Sequence, residues 1–248
     1  MSKSSKDITR LGTILSVWAH PDDETLSCAG IMMAAIANDQ KVICVTATRG
    51  EAGVRDESRW PATNLGKIRS KELAAALKIM GVTDHHWLDY PDGGCDTAQE
   101  EKAAQKIAHL IEYHNPDTIL TFGPEGLTGH SDHCTVSRWV DLAVRLVANS
   151  KIGVYHATEL RESFEAGQEI STKHNFFFNI DRPPIVEAGE CDILFRLPKE
   201  LLAKKYMALQ AMPSQYEDIL KESEKDTMYG MIGAEAFVRH VKSVDSLI

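Results

Sequence analysis

The 248 residues carry 27 Lys+Arg against 36 Asp+Glu, a formal net charge of -9, with 43% hydrophobic and 25% charged residues. That composition excludes collagen-like, low-complexity and wholly disordered classes, and the acidic balance lacks the electrostatic footprint of a nucleic-acid binder. A chain this long buries roughly 70–75% of its unfolded surface without disulfides, and its five cysteines show no C-x-x-C spacing, which points to a reducing, cytoplasmic setting.

In chain order, residues 1–10 are polar and lysine-bearing and read as a disordered arm rather than a signal peptide. No run reaches the ~18 apolar residues of a membrane span. Residues 14–19 read as a strand, 24–38 as a helix, and 41–48 (KVICVTAT) as a buried parallel strand. A helix over 65–80 stops at Gly81, a normal C-terminal signal. Then come a weaker strand over 86–90, a helix over 97–114 ended by Asn115-Pro116, and a strand over 118–122. A helix over 132–148 and a strand over 152–156 complete the regular part. Beyond about residue 158 the pattern loosens: strands over 176–180 and 193–197, helices over 199–211 and 234–241. Strands alternating with helices predict an α/β fold, a Rossmann-like, doubly wound, mostly parallel sheet. The expected organisation is a single unit over 1–248, with a core at about 12–157 and a C-terminal elaboration at about 158–248.

Two segments carry chemistry: Ala19-His20-Pro21-Asp22-Asp23-Glu24 after the first strand, and Gly129-His130-Ser131-Asp132-His133 after the fourth. A doubly wound sheet binds ligands outside the carboxyl ends of its strands, where the strand order reverses. With the order 3-2-1-4-5, the first and fourth strands are neighbours there, so the two segments face each other. His20, Asp23 and His133 then supply two imidazoles and a carboxylate. Three protein ligands with an open position for water is the composition of a catalytic zinc site. Asp22, beside a ligand but pointing elsewhere, suits a general base. His130 suits a general acid or an electrophile for a developing oxyanion, and Asp132 suits a partner that sets the tautomer of His130 and raises its pKa. For Glu24, helix capping and dipole compensation suffice. Arg69 heads the apolar stripe of Leu73, Ala76 and Met80 and suits either a buried ion pair or a substrate contact. Arg49 and Glu51 follow the second strand and suit either a loop salt bridge or substrate contact. The other seven histidines have no partner at ligand spacing.

On these residues the chain resembles the PIG-L/LmbE-like zinc deacetylases. The family's A-H-P-D-D-E stands at residues 19–24, and its H-P-D-H stands as His130-Ser131-Asp132-His133. Further likeness lies in residues 48–53, 69–81 and 88–93 and in Glu235-Ala236-Phe237, so that it covers about residues 12–240. The resemblance implies removal of an acetyl group from an N-acetylated sugar or glycoconjugate. It implies zinc at His20, Asp23 and His133, a base at Asp22, an acid at His130 tuned by Asp132, and substrate contacts at Arg69 and Asp92. Fe2+ or another divalent ion fits the same donors. Relatives commonly assemble as homo-oligomers, and no sequence feature decides that state here. Three departures stand out. Ser131 replaces the usual proline. Thr128-Gly129 stands where mycothiol-pathway relatives carry Tyr-Gly, which argues against a mycothiol precursor as substrate. Ala211-Met212-Pro213-Ser214-Gln215 lacks the histidine of A-H-x-S-Q. Two alternatives share the donor set: a non-haem iron oxygenase, whose triad usually sits on an antiparallel β-barrel, and a catalytically idle metal-binding or interaction protein.

Overall fold

A computed structural model describes residues 8–147, 151–177 and 179–240. Its first half alternates β1 (Ile14–Trp18), α1 (Asp23–Ala37), β2 (Val42–Thr48), α2 (Ala62–Met80), β3 (Asp84–Tyr90), α3 (Glu100–His114), β4 (Thr118–Phe122) and α4 (Ser131–Leu146). It continues with β5 (Gly153–Leu160), α5 (Arg161–Ala166), α6 (Gln168–Lys173), β6 (Ile185–Val186), β7 (Ile193–Arg196), α7 (Lys199–Gln210), α8 (Pro213–Glu222), α9 (Lys225–Ile232) and β8 (Ala234–Arg239).

The sheet order is β3-β2-β1-β4-β5-β8-β7, with β6 paired to β5 off that path. The expected 3-2-1-4-5 order is therefore present, parallel throughout, and β8 and β7 add antiparallel to its far side. All five residues of β1 and of β4 and all seven of β2 are buried, as their apolar runs require of strands covered on both faces. Trp18 and Phe122 meet edge to face, 4.9 Å between centroids, at the ends of β1 and β4. They form the floor under the loops that follow. Among the described residues no helix is long and apolar enough to cross a membrane.

Several expected elements differ. The N-terminal arm is not disordered where it is described: a helical turn at Thr9–Leu11 forms, and Ile8 and Leu11 are buried in the core. Residues 1–7 lie outside the described residues, as do Ala148 at the expected end of α4 and Phe178 within the expected strand over 176–180. Phe176, Phe177 and Asn179 form turns, and Ile180 has no regular structure. The largest correction is residues 234–239, expected as helix and found as β8. Its Ala-Glu-Ala start favours a helix locally. Pairing on both edges, with β5 and β7, overrides that preference. Val241 lies outside the described residues.

Helix α1 is broken at Cys28 (φ -146°, ψ 16°). The break frees backbone groups in a buried place, and buried backbone groups need partners. Glu235 of β8 accepts from the N–H groups of Gly30 and Ile31 at 2.7 and 2.8 Å. Lys205 of α7 donates to the carbonyl of Leu26 at 2.7 Å and to Glu235 at 2.9 Å. Both side chains are fully buried. The C-terminal third thus stitches the helix whose first turn begins with Asp23.

Candidate active site

His20 and Asp23 sit on the turn from β1 into α1. His133 lies in the first turn of α4, after β4. Asp23 Oδ2 accepts from the His20 backbone N–H at 2.7 Å, which folds the turn back on itself. His20 Nδ1 and His133 Nε2 are 3.0 Å apart. Asp23 Oδ1 is 3.4 Å from His133 Nε2, and Asp23 Oδ2 is 3.7 Å from His20 Nδ1. Ligands about 2.0–2.1 Å from a tetrahedral ion lie about 3.3 Å from one another, so these three donors have the separations of one coordination shell.

Outer contacts set the direction of both rings. His133 Nδ1 lies 2.9 Å from the carbonyl of Gly126, so it carries the proton and Nε2 keeps its lone pair. Phe122 stacks on the His133 ring at 4.1 Å and 10°, which fixes its plane. His20 Nε2 lies 3.0 Å from Asp92 Oδ1 and 3.2 Å from Asp132 Oδ2, so it donates outward and Nδ1 faces inward. Two imidazole lone pairs aimed at each other across 3.0 Å repel unless a cation stands between them. Without a metal a proton takes that place. Burial disfavours charge on His20, but Asp132 and Asp92 outweigh it and hold its pKa up to about 10. Burial, then the charges of His20 and His130, push His133 well below its ordinary value. Burial pushes the Asp23 carboxyl up. A divalent ion fits this donor set, because it satisfies both lone pairs and the buried carboxylate together.

Asp22 has φ 131°, outside the region a residue with a side chain favours. Its N–H donates to Glu24 Oε2 at 3.2 Å, so the buried Glu24 braces the strained turn. Asp22 Oδ2 accepts from Arg69 Nη2 at 3.2 Å and from the Tyr216 hydroxyl at 3.3 Å. Arg69 also donates to the carbonyls of Gly50 and Pro21 at 2.9 and 2.7 Å. Gly50 is obligatory here: its φ is +68°, and a Cβ would stand 2.3 Å from Arg69 Nη1.

His130 caps α4, its Nδ1 accepting from the Asp132 N–H at 3.1 Å. The proton of the neutral ring is therefore on Nε2. Burial, then the charge of His20, lowers its pKa, so it stays a neutral donor. Asp132 does not reach His130 with its carboxylate, contrary to the expected pairing. Its oxygens are taken by His20 Nε2, the Gly93 N–H at 2.7 Å and the Cys95 N–H at 3.1 Å. Asp132 sets the tautomer of His20 instead, because the loop after β3 holds it on that side.

The substrate candidates separate. Arg69 and Asp92 line a cavity of about 420 Å3 with His20, Asp22, Asp23, His130 and His133. The Asp92 carboxylate is engaged by His20 and by the Ala52 N–H at 2.8 Å, and its pKa is held down to about 2: burial opposes this, and His20 outweighs burial. Arg49 and Glu51 do not line the cavity. Arg49 pairs with the exposed Asp89 and lies over the Trp87 ring. Glu51 accepts from the Asp92 N–H at 3.0 Å and so supports the loop that carries Asp92. Tyr216 and Gln215 on α8 also reach the cavity, and sequence patterning gave no reason to place them there. Their only signal was their position in the segment that departs from A-H-x-S-Q. Among the other histidines, which have no partner at ligand spacing in the sequence, the fold brings Asp84, His86 and His114 together, and likewise Asp141, His156 and His240.

Arg69→Lys removes the fork that joins Gly50, Pro21 and Asp22. It is expected to cut kcat roughly 10–100-fold through a displaced Asp22, with KM and metal content little changed in steady-state kinetics and elemental analysis.

A family model described as GlcNAc-PI de-N-acetylase matches residues 15–144. The 1D-myo-inositol 2-acetamido-2-deoxy-alpha-D-glucopyranoside deacetylase of Actinosynnema mirum is 30% identical over 232 residues, 82% of this chain and 80% of that protein. A probable N-acetyl-alpha-D-glucosaminyl L-malate deacetylase 2 of Bacillus anthracis is 28% identical, over 86% of this chain and 85% of its own. In structure, N,N'-diacetylchitobiose deacetylase from Pyrococcus horikoshii superposes with a TM-score of 0.63 at 19% identity, covering 97% of this chain and 94% of that one. GalB, the 4-carboxy-2-hydroxymuconate hydratase of Pseudomonas putida, superposes equally well, at 0.63 and 14% identity, over 96% and 99% of the two chains. The same fold thus carries proteins named for different reactions, and the likeness of shape speaks to fold alone.

Proposed function

The chain belongs to the GlcNAc-PI de-N-acetylase family, and on that premise we propose that it is a divalent-metal hydrolase that removes the acetyl group from an N-acetylated amino sugar or glycoconjugate. The observation that carries this reading is the pair of inward lone pairs, His20 Nδ1 and His133 Nε2, 3.0 Å apart beside Asp23 in an open cavity. Zn2+ is the proposed ion, held by His20, Asp23 and His133. When bound, such an ion supplies Lewis acidity and lowers the pKa of water.

The remaining work falls to side chains. Asp22, held by Arg69 and Tyr216, takes a proton from the attacking water. The neutral His130 donates from Nε2 to the acetyl oxygen as negative charge develops there. Asp22 then passes its proton to the leaving nitrogen as the C–N bond breaks, giving free amine and acetate. Asp132 and Asp92 keep the proton of His20 on Nε2. Beyond the acetyl site the cavity wall includes Phe164, Phe176 and Phe177, with Arg55 and Glu159 as ionisable members. Flat apolar rings suit the face of a sugar or an apolar aglycone. The parallel sheet and the base at Asp22 give the oxygenase alternative no support.

The test is elemental analysis coupled to an amine-release assay over N-acetylglucosamine and its glycoconjugates. One divalent ion per site and acetate release that stops on chelation are expected, and His133→Ala should lose both. Metal-loaded protein inert across the panel would overturn the reading.

A further inference from the structure

At the opposite end of the sheet from the cavity, β3 begins beside the C-terminus of α3. Asp84 and His86 are two apart on β3, so their side chains share one face. His114 is the last residue of α3 and is buried. His86 Nε2 lies 2.9 Å from Asp84 Oδ1 and 3.3 Å from His114 Nε2. His114 Nδ1 lies 3.7 Å from Asp84 Oδ2 and 2.8 Å from Lys41 Nζ.

The protons of this cluster do not balance. An ammonium only donates, so His114 Nδ1 accepts from Lys41, and the neutral ring carries its proton on Nε2. If that proton is given to His86 Nε2, the latter has no hydrogen for the Asp84 oxygen 2.9 Å away. If His86 instead carries a proton on Nε2 for Asp84, two N–H groups face each other across 3.3 Å. A cation between the two Nε2 atoms and the carboxylate removes the conflict once Lys41 withdraws, since His114 then holds its proton on Nδ1. Lys41 also pairs with Asp84 Oδ2 at 4.0 Å, and withdrawing it gives up that contact, but its side chain is 50% exposed and has solvent to move into.

We propose that Asp84, His86 and His114 form a second divalent metal site, of zinc type, which ties the start of β3 to the end of α3 and for which Lys41 competes in the metal-free protein. Two imidazoles and a carboxylate suit zinc among the available divalent ions. The Asp84–His86 and His86–His114 separations of 2.9 and 3.3 Å are near those of ligands sharing one shell, and one donor atom from each of the three residues lies within 4.8 Å of the others. Asp84 pairs with Ile43 at the start of the parallel strands, whereas His20 and His133 follow strand ends. The site therefore lies apart from the cavity and does not depend on the deacetylase reading.

Zinc stoichiometry and thermal melting test it. The wild type should bind one zinc per chain more than His86→Ala, whose half-exposed side chain leaves folding and acetate release unchanged. Zinc should raise the melting temperature of the wild type more than that of the variant. His133→Ala should keep the β3 zinc. Lys41→Met should bind it several-fold more tightly. Equal stoichiometry in wild type and His86→Ala overturns the site, and a Lys41→Met affinity no tighter than wild type overturns the placement of the ion between these rings.

Discussion

Asp22→Asn is expected to keep its metal and lose turnover by roughly 10^2–10^4-fold, the range of general-base contributions. Asparagine matches aspartate in size and keeps an oxygen to accept from Arg69 and Tyr216, which lie 3.2 and 3.3 Å from Asp22 Oδ2. It cannot take a proton at neutral pH. The proposed metal donors are His20, Asp23 and His133, so elemental analysis should show wild-type content while amine release collapses. Near-wild-type turnover in Asp22→Asn would remove Asp22 from the mechanism. The strained φ of 131° makes the residue costly to hold, and Glu24, Arg69 and Tyr216 are what hold it. Strain kept in place by three separate partners is a common mark of a functional position.

Glu235→Gln is expected to lower stability by about 3–5 kcal/mol, as removal of one member of a buried ion pair does. For a chain of this size that is roughly 10 °C in melting temperature. Lys205 would be left charged and fully buried, and the amide cannot accept from both Gly30 and Ile31. Replacing both partners, Lys205→Met with Glu235→Leu, distinguishes this pair from an ordinary one. A simple buried pair is often exchanged for apolar residues without loss. Here the exchange strands two N–H groups and the Leu26 carbonyl at the break in α1, so the double variant should stay destabilised in thermal melts. A double variant as stable as wild type would show that the helix break needs no side-chain support.

Much of the proposed metal site is legible in the sequence. His20, Asp23 and His133 were placed together by two facts that need no coordinates: strand-then-helix alternation sets the strand order, and residues after neighbouring strands meet. The position of Asp22 at the cavity is legible for the same reason. Sequence adjacency suggests Asp132 as a direct partner of His130, while the turn sends its carboxylate toward His20 and the Gly93 and Cys95 amides, so that it acts on His130 only through its charge. The directions in which Arg49 and Asp92 turn are likewise set by partners distant in sequence. Both follow strands at the cavity end of the sheet, yet the Arg49 guanidinium turns outward onto Trp87 and Asp89, and the Asp92 carboxylate turns in behind His20.

What the sequence determined by itself is the parallel half of the fold and the meeting of His20, Asp23 and His133, because hydrophobic periodicity and strand-end placement are local and repeat along the chain. What only the tertiary structure decided is the role of everything past residue 160. Residues 234–239 have helical composition, yet they complete a sheet whose edges lie far away in sequence. Glu235, Lys205 and Tyr216 matter because of the α1 groups and the Asp22 carboxylate they touch. The same holds for Asp84, His86 and His114, separated by a whole helix and joined only when β3 packs beside the end of α3. Propensity acts within a few residues, while burial and hydrogen-bond pairing act between elements wherever the chain brings them together.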